Sequence, residues 1–371
     1  MSHQLLPELT HIPSSIASVS DYEPYARERM STAAWAYFSG GAADEYTLQD
    51  NLASFRRYGL WPAALASLQN ATTQTELLGQ TLPYPIMLAP IAYQAMAHPQ
   101  GELGTVLAAG AMQAHMVVSM QASHSIEDIA AQAHSPLWLQ WYWQRDKAFM
   151  RDLLARAHAS AYQAIVLTVD APVNGVRNRE QRANFTLPAH IEAVNLRGSS
   201  QPTSSHGAAG TSPLFGSDLI KYVPTWDDLL WLVQHSPLPV VVKGMMRPAD
   251  VLRAQQAGVA AVIVSNHGGR TLDTAPASLD ALAAVVQSVS VPVLLDGGIR
   301  RGTDIVKALA LGAKAVLIGR PYLYGLAAAG PRGVAHVLHI LRAELEVAMA
   351  LCGCAQLSDI GPHVLYRPLA D

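Results

Sequence analysis

The sequence predicts an α/β protein, a (β/α)8 TIM barrel with an N-terminal helical cap and a long loop insertion after strand 4. Three observations carry this reading. Eight short apolar runs recur along the 371 residues, with amphipathic helical segments between them. One stretch repeats with a period of roughly 50 residues, the length of two β/α units. Polar and charged residues collect at the ends of the apolar runs, which is where barrel active sites lie.

The runs are Pro85–Ala89, Met116–Ser119, Leu137–Tyr142, Ala164–Val169, Pro239–Lys243, Ala261–Ser265, Pro292–Asp296 and Ala315–Gly319. Their near-continuous Val, Ile and Leu content fits parallel strands buried on both faces. Helical patterns follow at Pro99–Ala114, Ile126–Ala133, Lys147–Ala159, Pro248–Gln256, Leu279–Val289 and Thr303–Leu311. Ser278 is placed to cap the helix at Leu279, and Pro248 suits a first helical turn. Eight strands are the number that closes a barrel; an open doubly wound sheet is the alternative.

The repeat pairs Pro239-Val-Val-Val-Lys-Gly-Met-Met-Arg247 with Pro292-Val-Leu-Leu-Asp-Gly-Gly-Ile-Arg300. Each copy is followed by a helix that ends on Gly258 or Gly312 and then by another strand. Two segments break the alternation. Residues 1–84 precede the first strand, with a helix near Asp21–Ser39, and form a cap. Residues 171–224 form a lid-like insertion whose middle, 198–216, is rich in Ser, Gly and Pro. Long loops of this kind in compact barrels are usually lids or disordered segments. The whole chain, 1–371, reads as a single barrel domain.

Composition bounds the function. The chain is 50% hydrophobic and 14% charged, with a net charge of −3. That excludes a disordered chain, and it lacks the basic surplus of a nucleic-acid binder. Cys352 and Cys354 read as free thiols rather than a disulfide framework or a metal site. The start has no basic stretch leading into an apolar core, and no apolar run is long enough to span a bilayer. A soluble cytoplasmic protein is expected.

The strand ends carry the chemistry. Ser119, Gln140, Tyr142, Thr168, Asp170, Lys243, Ser265, Asn266, His267, Arg270, Asp296, Arg300 and Arg320 form a polar ring in an apolar protein. Histidine is the residue type that serves most often as a base near neutral pH, and Arg clamps carboxylates through two parallel bonds. Lys243 follows three Val; it suits either a Schiff-base lysine or a cation facing a developing anion, and the pattern does not choose. The Gly and Arg residues of Asp296–Thr303 and Gly319-Arg320 suit a phosphate, because they allow close backbone approach next to helix starts. No strand–GxGxxG–helix signature is present, so a Rossmann site is not indicated.

Ser265-Asn-His-Gly-Gly-Arg270-Thr-Leu-Asp273, Leu295-Asp-Gly-Gly-Ile-Arg-Arg-Gly-Thr-Asp304 and Ile318-Gly-Arg-Pro321 resemble the motifs of the FMN-dependent α-hydroxy acid oxidases and dehydrogenases. Leu88-Ala-Pro-Ile-Ala92, Met96-Ala-His-Pro99, Leu167-Thr-Val-Asp170, Val242-Lys-Gly244 and Tyr37-Phe-Ser-Gly40 resemble that family too. The resemblance runs from about Asp21 to about Cys354.

It implies an FMN cofactor, a small 2-hydroxy acid substrate and a homo-oligomer, commonly a tetramer. It makes His267 the base and Asp170 the carboxylate that orients it. Arg270 and Arg177 hold the substrate carboxylate, and Tyr37 and Tyr142 contact the substrate. Lys243 stands beside the flavin N1–C2=O edge, which disfavours the aldolase reading. Ala92, Ser119, Gln140, Thr168 and Ser265 contact the flavin. Asp296 faces the ribityl hydroxyls, and Gly298, Arg300, Gly319 and Arg320 face the phosphate. No metal ligand is implied.

The departures bear on specificity. Gln121 stands where relatives often carry an aromatic residue that lines the substrate pocket. Tyr93, Pro188-Ala-His-Ile191 and Asn195-Leu196 resemble hydroxymandelate oxidase more than glycolate oxidase. Ala92, rather than Gly, at the flavin edge implies release of the oxo acid rather than oxidative decarboxylation. Two acceptors are in play: oxygen, giving hydrogen peroxide, or a quinone or cytochrome. Gly198-Ser-Ser-Gln-Pro-Thr-Ser-Ser-His206 is polar where membrane-bound mandelate dehydrogenases carry an apolar segment, which favours oxygen. Outside that class, an inert flavin-binding barrel and a phosphate-binding aldolase or isomerase are the competitors.

Overall fold

The computed structural model describes residues 5–199 and 212–366. Among these, eight parallel strands close into a barrel in sequential order. They are β1 (Ile86–Leu88), β2 (His115–Ser119), β3 (Leu137–Trp141), β4 (Ala164–Thr168), β5 (Val240–Lys243), β6 (Ala261–Val264), β7 (Val293–Asp296) and β8 (Ala315–Ile318). Closure is direct: Val316, Leu317 and Ile318 of β8 pair with Ile86, Met87 and Leu88 of β1.

Side chains alternate between the two faces of each strand, and this sorts the apolar runs into two cores. Met87, Val117, Trp138, Val166, Val241, Ile263, Leu294 and Leu317 fill the barrel interior. Their neighbours, such as Val118, Leu139, Leu167, Val242, Val264 and Leu295, pack outward against the helices. Two residues beyond the inward apolar layer, the next inward position is polar on six strands. Val117 leads to Ser119, Trp138 to Gln140, Val166 to Thr168, Val241 to Lys243, Ile263 to Ser265, and Leu294 to Asp296. The floor of the site is therefore the last turn of a period-two pattern.

A hairpin, Thr75–Leu77 with Gln80–Leu82, closes the opposite end of the barrel. Leu78 and Gly79 turn it with φ of 49° and 74°, as a two-residue hairpin of this hand requires. Leu77 and Leu82 join the inner core of the barrel. Burial of each such side chain stabilises the fold by about 1.5–3 kcal/mol.

The helix expected near Asp21–Ser39 is two helices, Tyr22–Arg27 and Thr32–Ser39, the second capped by Ser31, whose hydroxyl accepts from Ala34 N. A third, Tyr46–Arg56, is tied by Asn51 to Asn266, just past the C-terminal end of β6. Ser278 is not an N-cap: the helix Ser278–Ser288 starts on Ser278 itself, after Ala277. Its hydroxyl instead accepts from Asn266 N at 3.2 Å, so it braces the loop after β6. Beyond β8, residues Arg320–Leu351 form two helices joined across a kink at Ala329-Gly330. No helix among the described residues is long and apolar enough to cross a membrane. Most of the polar segment 198–216 lies outside the described residues.

Candidate active site

The strand ends and the cap enclose a cavity of about 530 Å³. Of the sequence-predicted site residues, Tyr37, Ala92, Ser119, Gln121, Gln140, Tyr142, Thr168, Arg177, Lys243, His267, Arg270, Asp296, Gly298, Arg300, Gly319 and Arg320 line it. Asp170 and Ser265 do not line it; they stand behind the wall.

The floor is a chain of buried polar groups. Ser119 Oγ donates to Gln140 Oε1 at 3.0 Å, and Gln140 Nε2 donates to Thr168 Oγ1 at 3.1 Å. Lys243 Nζ lies 2.8 Å from Asp296 Oδ2 and donates to Ser265 Oγ at 2.8 Å. These two charges occupy equivalent positions of the internal repeat, so the repeat places a cation and its counter-ion across β6 from each other. Burial alone would lower the Lys243 pKa, but the carboxylates of Asp296 and Asp170 outweigh it and hold it above the ordinary lysine value. Ser265, expected at the flavin, is engaged on both sides, because its Oγ also accepts from His267 N at 3.0 Å.

His267 projects from the turn after β6. Its φ is +59°, followed by Gly268 and Gly269 at +63° and +74°. A left-handed non-glycine residue is sterically costly, and such strain collects at functional turns. Gly269 has no room for a Cβ, which would meet Leu48 N at 2.6 Å. The turn is anchored to the cap. Asn51 and Asn266 exchange two side-chain hydrogen bonds of 2.8 Å. Asp273 accepts from Asp44 N and Thr47 N, and Ala42 N donates to Gly269 O.

His267 Nδ1 contacts Asp170 Oδ1 at 2.8 Å, while Nε2 faces the cavity, 3.4 Å from Tyr142 Oη. Burial would raise the Asp170 pKa; the facing His267 and Lys243 charges and the His267 hydrogen bond overcome it and keep it below the usual carboxylate range. Burial pushes the Tyr142 phenol upward and the Tyr37 phenol up to about 12, so both are neutral donors across the ordinary pH range.

Arg177 and Arg270 meet on the adjoining wall. Arg270 is held by the carbonyls of Tyr37 and Gly40, and its guanidinium lies 5.1 Å from the Tyr37 ring centroid. Both guanidiniums contact Glu180 Oε1, at 3.0 Å from Arg177 and 3.4 Å from Arg270. Burial and the neighbouring Arg270 charge lower the Arg177 pKa to about 10. Phe185 stacks on Tyr37 with centroids 4.9 Å apart, and Tyr93 flanks it at 6.2 Å. Glu180 and Phe185 line the cavity and Asn51 braces the His267 turn, although no motif in the sequence marks them.

The phosphate end differs from expectation in one respect. The helix Gly302–Ala310 does not offer its N-terminus to a ligand. Asp304 Oδ2 already accepts from Arg300 N and Arg301 N, and Glu344 accepts from Gly302 N. The helix that begins at Arg320 instead brings Gly319, Arg320 and Leu323 to the cavity. Arg320 donates to the carbonyls of Phe38, Gly40 and Gly268. Burial, with the charges of Arg270 and Arg300, pulls its pKa down to about 9.

The residues present fit FMN. Arg300 and Arg320 are half-buried cations that make no ion pair among the described residues, as two charges suited to a phosphate dianion would be. Asp296 Oδ1 is buried and lacks a hydrogen-bond partner, which leaves an acceptor for a hydroxyl. Gly298, at φ +86°, has no room for a side chain, and its Cβ would lie 2.0 Å from Asn51 O.

Comparison with known proteins agrees. Residues 26–367 match the FMN-dependent dehydrogenase family. The chain is 48% identical over 350 residues to an L-lactate oxidase of Roseobacter sp. (strain GAI101), covering 94% of each. It is 47% identical to an L-lactate oxidase of Nostoc sp. (strain PCC 7120 / SAG 25.82 / UTEX 2576), covering 95% of this chain and 99% of that one. A crystal structure of mandelate oxidase with (S)-2-phenylpropionate superposes with a TM-score of 0.84 at 36% identity, over 95% of this chain and 99% of that one.

Proposed function

The chain belongs to the FMN-dependent dehydrogenase family, and on that premise we propose that it oxidises a small (S)-2-hydroxy acid, of lactate or mandelate type, to the 2-oxo acid, with oxygen as acceptor and hydrogen peroxide as product. The observation that carries this is the His267–Asp170 pair, which aims Nε2 into a cavity whose next wall holds Arg177 and Arg270. The oxidases named among its relatives support oxygen over a quinone or cytochrome.

FMN, when bound, supplies the two-electron acceptor. Lys243, Asp296, Gln140, Ser119, Thr168 and Ala92 would hold its ring and ribityl chain; Gly298, Arg300, Gly319 and Arg320 would hold its phosphate. Arg177 and Arg270 bind the substrate carboxylate, and Tyr37 and Tyr142 close over it. This fixes the α-carbon and its hydroxyl relative to the imidazole. His267 Nε2 takes the proton, since Nδ1 is committed to Asp170. The Asp170 carboxylate then stabilises the imidazolium, and its depressed pKa keeps it charged for that task. Lys243 places a permanent positive charge at the floor, where charge accumulates as electrons arrive.

Within one barrel domain, the cap helices of segment 1–84 and the start of the insertion 171–224 together roof the site. Support comes from Asn178 Nδ2 donating to Ala43 O, and Ala43 N to Val176 O, which join the two. Assembly into a homo-oligomer is supported by the exposed apolar residues Trp61, Leu65, Val347 and Leu351. The direct test of the reaction supplies (S)-lactate and (S)-mandelate in air and follows oxygen uptake and peroxide. Equal amounts of oxo acid and peroxide are expected. Turnover with a quinone but not with oxygen would assign the dehydrogenase activity instead.

A further inference from the structure

We propose that Glu180 sets the charge of the substrate pocket and so restricts it to 2-hydroxy acids bearing a single carboxylate. This rests on the reading of Arg177 and Arg270 as the substrate clamp. The two guanidiniums share one internal carboxylate oxygen, at 3.0 and 3.4 Å, and all three side chains are largely buried. Two positive charges against one negative charge leave a surplus of one. The donors tell the same story. Arg270 spends Nη1 on the carbonyls of Tyr37 and Gly40. Arg177 keeps Nε buried without a partner. One incoming carboxylate satisfies both the surplus charge and the unmet donor.

A second carboxylate finds nothing comparable among the described residues. Lys243 is matched by Asp296, and His267 by Asp170. Arg300 and Arg320 are left for the two charges of the FMN phosphate. With Glu180 set against the arginines and Asp296 against Lys243, a dianion would carry an unmatched charge into a site where water screens poorly. Glu180 is therefore more than a brace for its arginines, because it removes the charge that would otherwise attract a dicarboxylate.

The test uses the FMN-loaded protein and two unreactive probes of nearly equal size, succinate and its monoamide succinamate. Binding is measured by calorimetry and by perturbation of the flavin spectrum. The wild type should bind succinamate about tenfold more tightly than succinate. Glu180→Gln should shift that ratio about tenfold toward succinate, while Glu180→Asp, which keeps the charge, should preserve it. Equal binding of both probes by the wild type would overturn the proposal without needing any variant to fold. So would a Gln variant with an unchanged ratio. Failure of the underlying reading shows separately, as loss of flavin bleaching by (S)-lactate and (S)-mandelate, since neither probe reacts.

Discussion

The 2.8 Å contact between His267 Nδ1 and Asp170 Oδ1 decides which ring nitrogen meets the substrate. Asp170 cannot approach the substrate itself, because it is packed behind the wall against Gly244. A Cβ on Gly244 would lie 2.5 Å from that of Asp170, so the glycine is what lets the carboxylate sit beneath the imidazole. His267→Gln should lower flavin reduction by substrate by about 10²–10⁴-fold while FMN stays bound. Asp170→Asn should cause a smaller loss in the same step. Rapid-mixing measurement under anaerobic conditions checks both, and unimpaired reduction in the Gln variant would refute the base assignment.

Lys243 and Asp296 form an ion pair that is almost wholly buried. Lys243→Met leaves Asp296 uncompensated and should destabilise the protein by about 3–5 kcal/mol. It should also lower the potential of the bound flavin, because the cation facing the reduced form is gone. Adding Asp296→Asn should recover much of the stability but not the potential. Denaturation and redox titration of the single and double variants separate the two effects.

The arginine clamp predicts a KM effect. Lysine cannot reproduce a guanidinium that also bonds to carbonyls, so Arg270→Lys and Arg177→Lys should each raise KM by about 10–100-fold. Arg270→Lys should be the more damaging, since it also loses Tyr37 O and Gly40 O. Steady-state kinetics on each variant tests the ranking.

His115, at the start of β2, is 2% exposed, and its Nδ1 has no partner. Burial lowers its pKa to about 4. The unfolded chain protonates near its ordinary value of about 6.5, and the folded chain resists protonation down to about 4. This group therefore costs no stability above about pH 6.5, and stability is progressively lost as the pH falls toward 4. The loss is about 3 kcal/mol at most. His115→Phe should flatten that part of the profile in urea titrations at pH 7 and pH 4.5.

The barrel was legible because the strands are short apolar runs, six of which end on a polar inward residue. The cap was less so. Strands of three residues, such as Thr75–Leu77, leave too short a pattern to read, and the break between Arg27 and Thr32 looks continuous in sequence. The Arg and His positions of the site stood out by type. Glu180 did not, because Arg177-Asn-Arg-Glu-Gln-Arg182 reads like a solvated face until the fold turns it inward. The helix start at Arg301-Gly302-Thr303 looked open to an anion, since nothing local reveals that Asp304 and Glu344 fill it.

The proposed reaction moves two electrons from a 2-hydroxy acid to the bound flavin. The direct measurement mixes the yellow protein anaerobically with (S)-lactate, (S)-mandelate and their (R) forms, then admits oxygen. Bleaching is expected with at least one (S) acid and not with its (R) form, with full return of colour in air and one peroxide per flavin. A flavin that stays oxidised with every (S) acid would contradict it.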